Sequence, residues 1–298
     1  MAAVAVLPGC GLGAGSQEGT VDLLVTRGYG SEALVDKSIG DLTESETALR
    51  VLDGASDIET RYGGGFVQSV DGISGNNKGG RSSDWFFSVN GIVAERGSAE
   101  FEVGAGDQVW WDYHDWTDAM EIGAVVGSYP APMAGGYDGT VWPVVIQCVT
   151  TPRDNCAFVK RQLSEAGVQA TIENGMGSPS DDTLRILVGR WVDMDLDSDA
   201  VNLRKEPSTS GVFAQFVIRD GAEHLLGLDQ EANEVQDYGP DAGLVAASRR
   251  NDGPPVWFIT GGSDAGVAAA ASALTTEDLQ QRYAAVVSDG RIASLPLP

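Results

Sequence analysis

Between residues 19 and 113, short apolar runs rich in β-forming residues alternate with turns built on glycine. The run at 19–30 ends in turn glycines, and the dipeptide Asn90-Gly91 joins two later runs as a preferred two-residue hairpin turn. A single helix is predicted over 43–52, because a Thr or Ser cap and early acids precede it and a glycine follows it. One helix among many short strands predicts an α+β sheet with the helix packed on one face.

Residues 142–298 show a different pattern, in which predicted strands alternate with helices. The strands are expected at 142–149, 184–192, 213–218, 222–228 and 256–260, and the helices at 156–166, from 263 or 264 to about 274, and from 275 to about 287. This alternation predicts a small α/β sandwich. The intervening segment 117–141 is rich in Gly and Pro, which predicts a linker between two domains.

The charge balance restricts the possible partners. Lys and Arg number 19 against 43 Asp and Glu, which gives a net charge of −24. Such a surface repels phosphate backbones, so nucleic-acid binding is excluded as a function. Salt adaptation and export would both produce this acidity. The sequence contains no run of ~18 apolar residues, and no membrane-spanning helix is therefore expected.

The first residues resemble the end of a bacterial lipoprotein signal. Residues 1–15 are small and apolar, and Leu7-Pro8-Gly9-Cys10 occupies the position of a lipobox, although the basic n-region is missing and Pro8 is unusual there. We interpret residues 1–18 as a truncated signal with Cys10 as the lipidated residue. The alternative is a flexible N-terminus with an incidental cysteine.

Two further cysteines, Cys148 and Cys156, lie eight positions apart. A loop of this size can close as a disulfide worth ~2–3 kcal/mol, which would suit an exported protein. The alternative is a pair of buried free thiols. Metal binding by the cysteines is not expected, because the two histidines, His114 and His224, lie beside neither of them.

No catalytic residue and no metal site is predicted. The run 112–115, Asp-Tyr-His-Asp, offers too few ligands for a metal, and we interpret it as a solvated strand end. The alternating acids of 193–199 lack the Gly and Glu that an EF-hand loop requires, which leaves only a loose calcium site as an alternative. The glycines of 261–266 predict a strand-to-helix turn, because no Lys follows as in a P-loop. No nucleophile motif accompanies either histidine.

Four motifs in order then resemble a known family. The predicted helix is followed by Gly-Gly-Phe-Val-Gln-Ser-Val-Asp-Gly (64–72), Asp-Trp-Phe-Phe-Ser-Val-Asn-Gly (84–91) and Gly-Asp-Gln-Val-Trp-Trp-Asp-Tyr (106–113). This order resembles the C-terminal domain of transcobalamin and intrinsic factor, in the soluble-ligand-binding β-grasp group. The resemblance covers about residues 19–116. The helical barrel that precedes this domain in the vertebrate carriers has no counterpart here.

The resemblance implies a β-grasp fold for 19–116 and a site for cobalamin or a related corrinoid. Its ligand-facing positions correspond to Phe66, Val67, Gln68 and Trp85. For Trp85 a place in the core is the open alternative, and Trp110 is expected in the core. Phe66 and Gln68 lie two positions apart, so both can project from one strand face.

Together these observations predict an extracytoplasmic ligand-binding lipoprotein, lipid-anchored at the cell membrane or secreted, that captures a corrinoid for uptake. Cobalamin would be its ligand, with no cofactor required, and its partner would be a membrane transporter or surface protein. Contact with the membrane would be through the lipid anchor alone. The alternatives are a cell-surface adhesion module that binds another protein, and an enzyme with its site in 142–298.

Overall fold

The computed structural model describes residues 16–120, 122–177, 180–194, 197–250 and 252–298. Cys10 and residues 1–15 of the predicted signal lie outside this range. The fold is α+β and rich in strands. The strands are β1 (Ser16–Gln17), β2 (Val21–Arg27), β3 (Glu32–Ile39), β4 (Leu42–Thr43), β5 (Ile58–Arg61), β6 (Phe66–Val70), β7 (Ile73–Ser74), β8 (Asn76–Lys78), β9 (Arg81–Val89), β10 (Ile92–Val93), β11 (Gln108–Asp115), β12 (Val144–Val149), β13 (Ala170–Asn174), β14 (Leu184–Arg190), β15 (Ala214–Arg219), β16 (Ala222–Leu228), β17 (Glu234–Asp237), β18 (Gly243–Ser248), β19 (Val256–Gly261), β20 (Ala284–Ser288) and β21 (Arg291–Leu295).

The described α-helices are mostly short. They are α1 (Ala48–Asp53), α2 (Ala131–Ala134), α3 (Arg153–Glu165), α4 (Ser198–Leu203), α5 (Pro207–Ser210), α6 (Asp264–Ser272) and α7 (Thr276–Leu279), with 3-10 turns at Tyr62–Gly64 and Trp191–Met194. Within the described ranges, none of these helices combines the length and apolarity needed to cross a bilayer.

The first sheet has the strand order β10-β9-β11-β2-β3, and β8 pairs with β9. The pairing of β11 with β2 is parallel, and the other pairings are antiparallel. Its inner face packs on α1 through side chains that include Leu23, Phe87 and Trp111. Because side chains alternate along a strand, Phe86 and Asp112, which are paired in register, lie on the outer face. A three-stranded sheet, β5-β6-β7, lies beside this unit.

The second sheet has seven strands in the order β13-β12-β14-β19-β18-β20-β21. The first four strands in this order are parallel, and the remaining pairings are antiparallel. Helices α3 and α6 cover one face, where Val159, Leu163 and Val267 are fully buried. The other face shares a core with the antiparallel sheet β15-β16-β17 and with Trp110 of the first sheet.

The segment 117–141 connects the two sheets and is largely packed against them. Ala119 and Val125 belong to the core shared by the sheets, and Tyr129 belongs to the core under α3 and α6. The backbone N–H of Val125 donates to the Gly91 carbonyl at 2.8 Å, and the next N–H donates to the Tyr283 carbonyl at 3.2 Å. The predicted linker is therefore part of the contact between the sheets.

Most of the predicted elements in the second half are present, with one exception. The Ser263 side chain caps α6 by accepting from the Gly266 N–H, and β15 pairs with β16, as predicted. The helix predicted to reach residue 287 is wrong beyond Leu279. Gln280 leaves the helical conformation, and residues 284–288 form β20 between β18 and β21, because their alanines and valines are buried on both faces.

Candidate functional site

The predicted ligand-facing segment lies on β6, the middle strand of the small sheet β5-β6-β7. Phe66 is 37% exposed and Gln68 is partly exposed, whereas Val67 between them is buried in the core under α1. This alternation places Phe66 and Gln68 on the outer face, as their spacing predicts. Val67 contributes to the core in this structure.

Trp85 lies in the core beneath this surface. It is 5% exposed, and its indole N–H donates to the Ile73 carbonyl at 2.8 Å. Its ring lies 5.4 Å from that of Tyr113, on the inner face of the first sheet. The structure therefore does not bring Trp85 to the surface beside Phe66, and the core alternative describes its position.

A residue outside the predicted set, Tyr62, is 87% exposed and begins the turn between β5 and β6. Arg61 lies opposite Phe66 in the register, and its Nε donates to the Gln68 amide oxygen. We call Arg61, Tyr62, Phe66 and Gln68 the small-sheet surface. In the sequence, the glycines at 63–65 indicated a tight turn after β5. Because turns run over the protein surface, an exposed side chain could have been expected at position 62.

Asp112 and His114 occupy a second, buried position on the outer face of the first sheet. Asp112 is 1% exposed and His114 is 4% exposed, so the prediction of a solvated strand end is wrong. The reason is that this face is covered by Tyr283, which immediately precedes β20 of the second sheet.

The Asp112 carboxylate accepts hydrogen bonds from five donors. Its Oδ2 accepts from the Tyr29 backbone N–H at 3.0 Å, from His114 Nδ1 at 2.9 Å and from the Tyr283 hydroxyl at 3.3 Å. Its Oδ1 accepts from the Gly30 N–H at 3.0 Å and from the Thr26 hydroxyl.

These bonds determine the ionisation of the cluster. Burial by itself raises the pKa of Asp112, but the bond and charge of His114, with the bonds from Thr26 and Gly30, lower the pKa below its usual value. Burial, and then the charge of Asp112, raise the pKa of Tyr283 well above 10, so its hydroxyl remains a donor.

The His114 ring is fixed on both faces and at one nitrogen. Tyr29 stacks on it at 4.4 Å and Phe86 at 4.7 Å between ring centroids. Its Nδ1 contacts Asp112 and the Tyr283 hydroxyl, whereas its Nε2 has no hydrogen-bond partner among the described residues. The ring borders a cavity of about 210 Å³ that is lined by the first sheet, by the connecting segment and by Tyr283, and that we call the junction cavity.

The described residues contain no group of three or more His, Cys, Asp or Glu side chains that could hold a metal ion. In the acidic run 193–199, Arg185 forms ion pairs with Asp197, at 2.5 Å, and with Asp199. The guanidinium therefore occupies two of the carboxylates that the calcium alternative needs. His224 lies 3.0 Å from Asp237 at the surface.

Cys148 and Cys156 are joined by a disulfide, with their Cα atoms 6.1 Å apart. Cys148 lies near the end of β12 and Cys156 lies in the first turn of α3. The bridge therefore closes the connection between these elements. Neither thiol is available to hold a metal.

Comparison with known proteins gives a partial match. Residues 45–115 match a family described as a domain of unknown function (DUF4430), so the match includes Asp112, His114 and the small-sheet surface. No curated protein matches the chain. The crystal structure of a putative metal binding protein from Ruminococcus gnavus ATCC 29149 is similar at 17% identity and a TM-score of 0.26, over 33% of this chain and 98% of that one. At this TM-score the likeness supports no conclusion.

Proposed function

We propose that this protein is an extracytoplasmic binding protein whose small-sheet surface captures a soluble ligand with an extended apolar face. A corrinoid is the ligand class that the resemblance to transcobalamin-like domains implies. The observation that carries the proposal is the exposure of Tyr62 and Phe66 beside Arg61 and Gln68.

The chemistry of this surface suits such a ligand. Two exposed aromatic rings provide apolar area, and removing that area from water on binding is favourable. The Gln68 amide and the Arg61 guanidinium can donate hydrogen bonds to peripheral amides of a corrin. The family match at 45–115 includes this surface, and the resemblance to transcobalamin-like domains covers the same residues. In this proposal the first half is a β-grasp domain and the second is an α/β sandwich.

The disulfide supports a location outside the cytoplasm, because such bonds persist in oxidising compartments. Lipid on Cys10 would retain the protein at the membrane, where a transporter could accept the ligand. Without the lipid, the protein would be secreted.

An open surface contacts a corrinoid on one side only, so about half of the ligand's surface remains exposed to water. We expect micromolar affinity, which corresponds to about −8 kcal/mol. Titration calorimetry of the full chain with cyanocobalamin and with cobinamide measures it. Phe66→Ala and Tyr62→Ala should each weaken binding at least about tenfold. Ile218→Ala, at a 70% exposed position on β15, is the matched control and should bind as wild type does. Absence of heat at high micromolar protein would refute the corrinoid proposal.

A protein partner is the second candidate for this surface. The 87% exposure of Tyr62 favours it, because an exposed aromatic side chain that lies outside any pocket is typical of protein-docking surfaces. In this case the protein is a cell-surface adhesion module. A photoreactive residue at position 66 should then cross-link one protein on intact cells, and Tyr62→Ala should abolish the cross-link. Cross-linking that persists in the variant would exclude this surface.

A further inference from the structure

We propose that the junction cavity is a second ligand site, which binds a neutral monocyclic alcohol or phenol whose hydroxyl forms a hydrogen bond with His114 Nε2. The site is separate from the small-sheet surface and does not depend on the proposed function.

The size and walls of the junction cavity define the ligand class. Its volume of about 210 Å³ compares with roughly 150 Å³ for a protein cavity that holds benzene. The walls are largely apolar and include Phe86, Trp110, Ile122 and Val125. A single six-membered ring with one or two small substituents therefore fits, and a corrinoid is far too large.

His114 provides the polar contact. Nδ1 contacts Asp112 and the Tyr283 hydroxyl, so Nε2 is the ring nitrogen left without a partner among the described residues. A hydroxyl can both donate and accept a hydrogen bond, so a ligand hydroxyl would give this atom a partner. The ring cannot turn to find another partner, because Tyr29 and Phe86 stack on its two faces.

The surroundings favour a neutral ligand over a metal ion or an anion. Both Asp112 oxygens already accept hydrogen bonds, and no group of metal-ligating side chains is present in the described ranges. The nearby Asp112 charge disfavours an anion. Selectivity should therefore depend on a single hydroxyl group attached to a compact ring.

The test uses the full chain with two probes of nearly the same size, p-cresol and toluene, of which only p-cresol carries a hydroxyl. Calorimetry reports binding, and so does a change in tryptophan fluorescence, because Trp110 lines the cavity. We expect saturable p-cresol binding that is at least about tenfold tighter than toluene binding. This comparison needs no variant, so it does not depend on whether a substitution at His114 folds.

A cavity-filling variant locates the site. Ala94 lines the cavity and is half-buried, so Ala94→Leu should abolish p-cresol binding. The matched control is Ala33→Leu, at an exposed position on β3, which should bind as wild type does. Phe66→Ala should also leave p-cresol binding unchanged, which separates this site from the corrinoid surface. Equal affinity for the two probes, no binding of p-cresol, or undiminished binding by Ala94→Leu would overturn the proposal.

Discussion

Asp112 shows how a single carboxylate can hold together segments that are distant in the sequence. Its donors come from β2 and the turn that follows it, from β11 itself, and from Tyr283, which lies 171 positions further along the chain. A buried carboxylate with this many donors is stabilised as an anion. Removing it leaves the donors buried without an acceptor, and each such group costs free energy.

Replacing Asp112 by Asn is therefore expected to lower the free energy of unfolding by about 3 kcal/mol or more. The amide retains one acceptor oxygen but places an N–H₂ group against donors. Urea unfolding at neutral pH measures the loss. Asp22→Asn is the matched control, because Asp22 is exposed and its carboxylate accepts a hydrogen bond from the Ser38 hydroxyl at 2.6 Å; a change within about 0.5 kcal/mol is expected there.

The same variant gives a pH test. The pKa of Asp112 is lower in the folded state than the unfolded value of about 3.9, so its contribution is complete above the unfolded value and is lost as the pH falls through the folded value. The difference in stability between wild type and Asp112→Asn should therefore narrow as the pH falls below about 4. A difference that widens on acidification would contradict this ionisation state.

Trp85 is a core residue and Phe66 is a surface residue, so their alanine variants should differ in stability. Trp85→Ala removes a buried indole and its bond to Ile73, and should cost about 3–5 kcal/mol in unfolding free energy. Phe66→Ala should cost less than about 1 kcal/mol, because Phe66 is 37% exposed. Denaturant unfolding of both variants compares these costs. If Trp85→Ala retained wild-type stability and lost corrinoid binding, Trp85 would instead be a ligand residue.

At the scale of single elements, local pattern predicted much but not all. Cap chemistry located α6 correctly, because Ser263 and the glycines before it are sufficient to define a helix start. Residues 284–287 were predicted as helix, since their alanines and valines suit either structure, and pairing with β18 and β21 makes them part of a strand. The burial of His114 was also beyond local pattern, because Tyr283, which is distant in the sequence, packs against it. Tertiary contacts decided both.

The disulfide should contribute measurably to the stability of β12 and α3. Closing an eight-residue loop in the unfolded chain is worth about 2.5 kcal/mol. The double variant Cys148→Ala, Cys156→Ala should lose about this much free energy of unfolding relative to oxidised wild type. Wild type unfolded in reductant provides the comparison and should approach the double variant. Equal stability of the oxidised and reduced wild type would contradict a stabilising role.

At the scale of the whole molecule, the two sheets share one core. Trp110 and Tyr29 from the first half pack in the same cluster as Leu187 and Phe258 from the second sheet. Residues 16–116 alone would expose this apolar area, so binding experiments are better made on the full chain. The sequence predicted two separate domains because both the linker composition and the change of pattern near 141 suggest a boundary. Neither the linker composition nor the change of pattern indicates how much of the first sheet's outer face is covered by the rest of the protein.

Gly127 lies where the connecting segment crosses this shared core, and it tests whether the sheets unfold together. A Cβ atom at this position would lie 2.7 Å from the Trp110 ring and 2.8 Å from the Arg282 backbone nitrogen. Gly127→Ala must therefore displace backbone, and should lower stability by about 1–3 kcal/mol. Gly40→Ala is the control, because its Cβ would meet only a Thr20 methyl at 4.0 Å.

Hydrogen exchange shows which strands are destabilised by Gly127→Ala. If the two sheets form one cooperative unit, Gly127→Ala should reduce amide protection by a similar free energy in β11 and in β20, because both strands open in the same global event. Protection lost in β11 alone would mean that the first sheet unfolds by itself, and that its contact with the second sheet contributes little to the stability of either.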